Sequence, residues 1–216
     1  MTNTTHGTPD GTTTDTTQRI PRQELARAFV ASLTDQLVVT GIGNACNDVY
    51  AAGDRALNFY MRGSMGAGVP IAFGLARARP NDFVICVEGD GSVLMNLGAL
   101  ATVGSYAPQN LAIVILDNGA YQITGGQPTH TAGAVDLSHV ARGCGIANSS
   151  QVSTLDDFTS ALDTILDAPG PHVLVARVDR TLSDPKAHQP RRPALIKYRF
   201  MGRLGTLEDV KRLAWE

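Results

Sequence analysis

Cysteine is scarce in this chain. Cys46, Cys86 and Cys144 are the only three among 216 residues, and no two of them form a Cys-x-x-Cys pair. Three scattered thiols build neither a disulfide framework nor the four-ligand cage of a structural zinc or iron–sulfur centre. Excess charge is also lacking: the formal net charge is −2. No basic stripe with interleaved aromatics appears, which argues against partnership with nucleic acid or an anionic membrane surface. No apolar run reaches the length that crosses a bilayer, and the N-terminus has no basic-then-apolar leader pattern. These absences point to a cytoplasmic protein as the default.

What remains is the composition of a globular domain, 43% apolar and 18% charged, long enough to bury a core. Residues 1–20 are rich in Thr, Gly, Asp and Asn and nearly free of apolar side chains. Such a segment cannot offset its ordering entropy by burial, so a disordered tail is expected there. Pro21 suits a first helical turn, and Leu25, Phe29 and Leu33 recur at i, i+4 and i+8, the stripe of an amphipathic helix. Short apolar runs at Leu37–Thr40, 83–87, 111–116 and 172–178 read as strands. Helices are expected over 66–79, 96–106, 137–144 and Leu155–Asp167. Short apolar strands alternating with helices predict an α/β domain over 21–184, a parallel sheet with helices on both faces. The Pro- and Arg-rich stretch 185–216 is expected to pack on this domain or on a partner, ending in a helix near 206–215. Cys86, inside an apolar run, reads as core; Cys46, in a Gly/Asn-rich turn, could be exposed.

Three turns carry chemistry. Gly89-Asp90-Gly91-Ser92 follows a buried strand. Its glycines permit a sharp turn and close approach to an anion, and the amides of Gly91 and Ser92 suit phosphate oxygens. Asp90 offers a hard carboxylate oxygen of the kind magnesium takes. Asp117-Asn118-Gly119-Ala120-Tyr121 follows the most apolar strand. Asn118 offers a neutral amide oxygen, and Ala120 a backbone carbonyl. Each turn alone is ordinary, but they stand 28 positions apart, from 90 to 118, the content of one crossover. Right-handed crossover geometry sets both at one sheet edge, where carboxylate, amide and carbonyl can converge on one cation. The third turn is Gly63-Ser64-Met65-Gly66, before a helix of small residues.

Together the turns resemble the diphosphate-binding half of thiamine-diphosphate enzymes. The resemblance covers about residues 20–202. It includes Asn58-Phe59-Tyr60-Met61, Leu94-Met95-Asn96-Leu97-Gly98, Gly125-Gly126-Gln127-Pro128-Thr129 and Ile196-Lys197-Tyr198-Arg199-Phe200-Met201, and is similar to the sulfopyruvate and phosphonopyruvate decarboxylases, in length and order to the beta chain of the two-subunit type. The resemblance implies thiamine diphosphate and Mg2+ as cofactors. It implies magnesium ligation by Asp90, Asn118 and the Ala120 carbonyl, and cofactor contacts at Gly63, Ser64, Met65, Gly89, Asp90, Gly91, Ser92, Asn118, Ala120 and Tyr121. Met65 would wedge between the cofactor's two rings. The implied reaction releases carbon dioxide and an aldehyde from a small 2-oxo acid.

Departures from the family pattern bear on substrate. Arg62 stands where an apolar residue is common and could pair with an anionic substrate or be solvated. Gln122 and Ile123 stand where small or acidic residues are usual. Gly126 leans toward the phosphonopyruvate type. His130, in the loop after Thr129, could shuttle protons or be a polar surface residue.

One required group has no candidate. Thiamine catalysis needs a glutamate against the pyrimidine ring; Glu24 lies on the opening helix and Glu88 belongs to the diphosphate turn. The resemblance therefore implies a separate pyrimidine-binding, alpha-type subunit that supplies the glutamate, in a heterotetramer whose contact covers apolar residues such as Phe59 and Tyr60. Alternatives are a carboligase of the acetolactate-synthase type and a non-catalytic cofactor-binding chain. A 2-oxoacid:ferredoxin oxidoreductase beta chain is disfavoured by the few cysteines.

Overall fold

The computed structural model describes residues 18–183 and 192–206. Most of the expected N-terminal tail and of the helix expected near 206–215 lie outside the described residues. The chain forms α1 (Arg22–Ala31), β1 (Leu37–Thr40), α2 (Asn44–Ala52), β2 (Asn58–Tyr60), α3 (Gly68–Ala78) and β3 (Val84–Gly89). It continues through α4 (Asp90–Leu94), α5 (Gly98–Tyr106), β4 (Leu111–Asp117), β5 (Ala120–Tyr121), β6 (Gln127–Pro128) and α6 (Leu137–Gly143). Last come β7 (Asn148–Val152), α7 (Leu155–Asp167), β8 (His172–Arg177) and α8 (Pro193–Arg203). Six strands form one parallel sheet in the order β2-β1-β3-β4-β8-β7, and β5 and β6 form a short antiparallel ribbon.

The sheet is parallel because helices connect its successive strands and return each to the same starting edge. Both sheet faces are covered, so the central strands bury every side chain; all seven residues of β4 are buried. Alternation divides them between two cores. Val39, Cys86, Ile113 and Val173 meet α3, α5 and α6 through Ala72, Leu100 and Leu137. Val38, Ile85, Ala112 and Leu174 meet α1, α2 and α7 through Phe29, Val49 and Phe158. Polar β7 (NSSQV) sits at the sheet edge, which is why no apolar run marked it.

Several expectations change. Ile20, assigned to the tail, is 1% exposed and pairs with Val178. Its apolar side chain closes the core beside α1 and α7. The Gly/Asn-rich segment expected as a turn is helix α2, and Cys46 on it is buried in the core. The Thr40 hydroxyl donates to Cys46 Sγ at 3.2 Å. Burial pushes the thiol pKa up to about 12, which removes it as a nucleophile. Tyr60, expected to be covered by a partner, is covered by its own domain. Its ring stands edge-on to Tyr50 at 5.6 Å, and its hydroxyl donates to Asp54 and accepts from Asn58. Phe59 is half-buried against Phe200 of α8, which packs over edge strand β2.

The sheet order reverses at β1: the chain runs outward to β2, then crosses back to β3 on the other side. Crevices in open α/β sheets form at such points, beyond the carboxyl ends of the strands.

Candidate functional site

A cleft of ≈ 350 Å³ opens at this reversal, within the range of small-ligand sites. Its walls come from the segments after four strands: Ile42 and Asn44 after β1, Met61 and Met65 after β2, Asp90 after β3, Asn118 after β4. Gly89, Gly91, Ser92, Ala120, Tyr121, Gln122, Ile123 and Arg62 also line it, with Arg22 and Leu116 among others. Eight of the ten implied cofactor contacts meet here: Met65, Gly89, Asp90, Gly91, Ser92, Asn118, Ala120 and Tyr121.

The two metal-type turns are adjacent because β3 and β4 pair in register, with Gly89 opposite Leu116. Thr131 ties them together. Its hydroxyl lies 3.0 Å from Asp90 Oδ2 and 2.7 Å from Asp117 Oδ1. Thr129 donates to the same Asp90 oxygen at 2.5 Å. Asp117 also pairs with Arg177 at 2.8 Å and accepts from Gly119 N–H at 2.9 Å. It is a bracing residue, and the Arg177 cation favours a carboxylate at this position. Asn118 Oδ1 accepts from Ala120 N–H at 2.9 Å, which closes the turn.

The turn 63–66 is fastened to the segment 89–96. Gly66 N–H donates to Ser92 Oγ at 2.9 Å, and Asn96 Nδ2 donates to the Gly66 carbonyl at 2.9 Å. Ser92 therefore uses its hydroxyl to hold Gly66. Ser64 adopts a left-handed φ of 66°, which costs a non-glycine residue about 1 kcal/mol or more. Gly63 and Ser64 do not line the cleft; they lead the chain into Met65, which does. His130 is exposed and absent from the lining. Its neighbours Thr129 and Thr131 are turned in toward Asp90, which leaves the side chain between them facing away.

Asp90 is 2% exposed. Burial raises its carboxyl pKa, while the Thr129 and Thr131 hydroxyls act the other way. None of the ion pairs among the described residues includes it. A buried carboxylate supported by hydroxyls and a backbone N–H, with no cationic side chain paired to it, is suited to a cation. Beside it, Gly89 opens on free space, and a Cβ on Gly91 would fall 2.4 Å from the Tyr121 ring. Asp90, the Asn118 amide and the Ala120 backbone are hard-oxygen donors and fit magnesium. The cleft depth and Met65 fit a ligand with a diphosphate tail and an apolar body.

Glu88 does not face this cleft. It is 1% exposed, held between Gly41 and Gly68, where any Cβ would strike its carboxylate at 2.1 Å. Burial raises its pKa. Glu24 is exposed on α1. Among the described residues, no glutamate lines the cleft. Sequence reasoning missed Thr129 and Thr131 as Asp90's partners, Arg22 at the cleft wall, and the bonds of Gln122. The Thr129-x-Thr131 spacing after a Gly-Gly loop was the available signal for the first two.

The domain family described as "Thiamine pyrophosphate enzyme, C-terminal TPP binding domain" matches residues 41–176. The sulfopyruvate decarboxylase subunit beta of Methanococcus maripaludis is 38% identical over 84% of this chain and 96% of its own length. The phosphonopyruvate decarboxylase of Streptomyces viridochromogenes is 40% identical over 82% of this chain but only 44% of its own length. The solved thiamine diphosphate-dependent 4-hydroxybenzoylformate decarboxylase of Rhodococcus jostii RHA1 superposes with a TM-score of 0.64 at 25% identity. That match covers 83% of this chain and 35% of the larger one. Among the described residues, no helix is long and apolar enough to cross a membrane.

Proposed function

The chain belongs to the thiamine pyrophosphate enzymes, as their C-terminal TPP-binding domain, and from that premise we propose that it is the beta-type subunit of a decarboxylase acting on a small 2-oxo acid. The observation that carries the reading is the single cleft in which Asp90, Asn118 and Met65 stand together. In this reading Asp90, Asn118 and the Ala120 carbonyl hold Mg2+, and the turn 89–92 receives the diphosphate. Met65 would support the cofactor's apolar body. The relatives named as sulfopyruvate decarboxylase subunit beta support a two-chain enzyme.

When bound, thiamine diphosphate supplies the electron sink for the bonding pair released as carbon dioxide leaves the 2-oxo acid. This chain's residues position and shield. The apolar walls of Ile42, Met61, Met65, Leu116 and Ile123 restrict water, and Asp90 balances cation charge. The remaining carbon takes a proton, and an aldehyde departs. The missing acidic group at the pyrimidine end comes from an alpha-type chain, and a heterotetramer with two such sites follows from two-fold symmetry.

Arg62 lies exposed at the cleft wall and supplies a cation for the second acidic group of a sulfopyruvate- or phosphonopyruvate-like substrate. A charge-assisted contact of about 1.5–3 kcal/mol corresponds to roughly ten- to a hundredfold in kcat/KM. The reconstituted enzyme is therefore expected to prefer sulfopyruvate or phosphonopyruvate over pyruvate by that factor. Assay of all three, with product identification, tests this: equal rates on pyruvate remove the acidic-substrate reading, and a coupled product of two 2-oxo acids would instead favour a carboligase.

Met65→Ala tests the wedge. Diphosphate contacts lie elsewhere, so cofactor affinity should stay within about threefold, whereas kcat should fall on the order of a hundredfold as the reacting ring loses its support. Undiminished turnover would make Met65 an ordinary wall residue.

A further inference from the structure

Gln122 breaks the family pattern, and its surroundings give it a role that neither its position nor its type suggests. Its side-chain Oε1 accepts from Arg22 Nη1 at 2.9 Å, from Asn44 Nδ2 at 2.9 Å and from Asn118 Nδ2 at 3.1 Å. Its Nε2 donates to the Arg180 carbonyl. Two of these partners leave no choice of amide orientation. A guanidinium can only donate, so the end of Gln122 facing Arg22 must be oxygen. A carbonyl can only accept, so the end facing Arg180 must be the NH2 group.

Arg22 is itself fixed. It is 2% exposed and pairs with buried Asp48 through Nε. Its Nη2 donates to the Thr181 carbonyl and, at 3.3 Å, to Ser183 Oγ. Arg180 in turn donates to the carbonyls of Asn118 at 2.9 Å and Gly119 at 3.1 Å. Gln122 is thereby locked, and its oxygen faces the Asn118 side chain. Only the NH2 of Asn118 can meet an oxygen there. The Asn118 oxygen is forced to the opposite side, where it already accepts from Ala120 N–H.

We infer that Gln122 is a positioning residue that, together with the Ala120 N–H on the other side, holds the Asn118 amide in one flip state, with its oxygen rather than its NH2 available to the divalent cation. The inference rests on the proposed magnesium role of Asn118. An amide offers one ligating atom and one repelling group, so its orientation decides whether it binds a cation or opposes it. Partners of metal ligands typically contribute ten- to a hundredfold to metal affinity.

The test is calorimetric titration of Mg2+, with saturating thiamine diphosphate, into the full chain co-expressed with its partner. Gln122→Met is expected to weaken Mg2+ binding about tenfold or more. The decisive background is Asn118→Asp, whose two oxygens are equivalent, so orientation no longer matters. Adding Gln122→Met to Asn118→Asp should produce no further loss. An equal loss in both backgrounds would show that Gln122 merely supports the loop and would overturn the inference, as would unchanged affinity in Gln122→Met. Asp90→Ala separates the two levels: if it leaves Mg2+ binding intact, the metal site itself is misassigned and this inference falls with it.

Discussion

Asp90→Ala is expected to abolish magnesium-dependent binding of thiamine diphosphate, a loss on the order of a hundredfold or more, while leaving the apo chain folded. The two halves of this expectation come from the same geometry. Asp90 is the only carboxylate lining the cleft among the described residues, and no cationic side chain is paired with it there. Burial raises its pKa, so in the absence of a cation its charge is a cost to the fold. Truncation removes that cost. The hydroxyls it leaves behind retain partners, because Thr129 and Thr131 lie 2.9 Å from each other and Thr131 still reaches Asp117. The melting temperature of the apo variant should therefore equal or exceed that of the parent, and added Mg2+ with cofactor should no longer raise it. A variant that still gains stability from magnesium and cofactor would show that the cation is held elsewhere.

The chain purified without a partner is expected to decarboxylate 2-oxo acids about 10²–10⁴-fold more slowly than the assembled enzyme, the range general acid–base groups contribute. The reason is the glutamate inventory. Glu88 lies behind the cleft, enclosed by Gly41 and Gly68, and its Oε1 has no hydrogen-bond partner. It is absent from the cleft lining. Glu24 is exposed on α1 and absent from the cleft lining. Adding a chain that carries the glutamate should restore the rate, and adding its Glu→Gln variant should not. Full turnover by the purified chain alone would refute the shared site and require an acid from within this sequence.

Much of this protein was legible in its residues. Hydrophobic runs located β1, β3, β4 and β8, since strands buried on both faces show as uninterrupted apolar stretches. The 28-residue interval between Asp90 and Asn118 fixed one crossover, and a parallel crossover returns both turns to one edge whatever the intervening side chains. The elements that escaped were those without such runs. Polar β7 gains its place from pairing with β8. Helix α2 buries only Ala45, Cys46, Asp48 and Val49 and opens in a Gly- and Asn-rich segment.

The sequence alone determined which residue types were present for cation, diphosphate and wedge, because those requirements are local: a carboxylate, an amide, glycines that permit close approach, and a bulky apolar side chain. Only the tertiary structure decided how they are held. That Asp117 braces Arg177, that Ser92 fastens the wedge turn, and that Arg22, one hundred positions earlier, fixes Gln122 and through it Asn118 are contacts between distant segments. They depend on where the sheet brings separate loops together and on which atoms can donate. A linear pattern carries the identity of a side chain, but its orientation is set by partners that meet it only after folding.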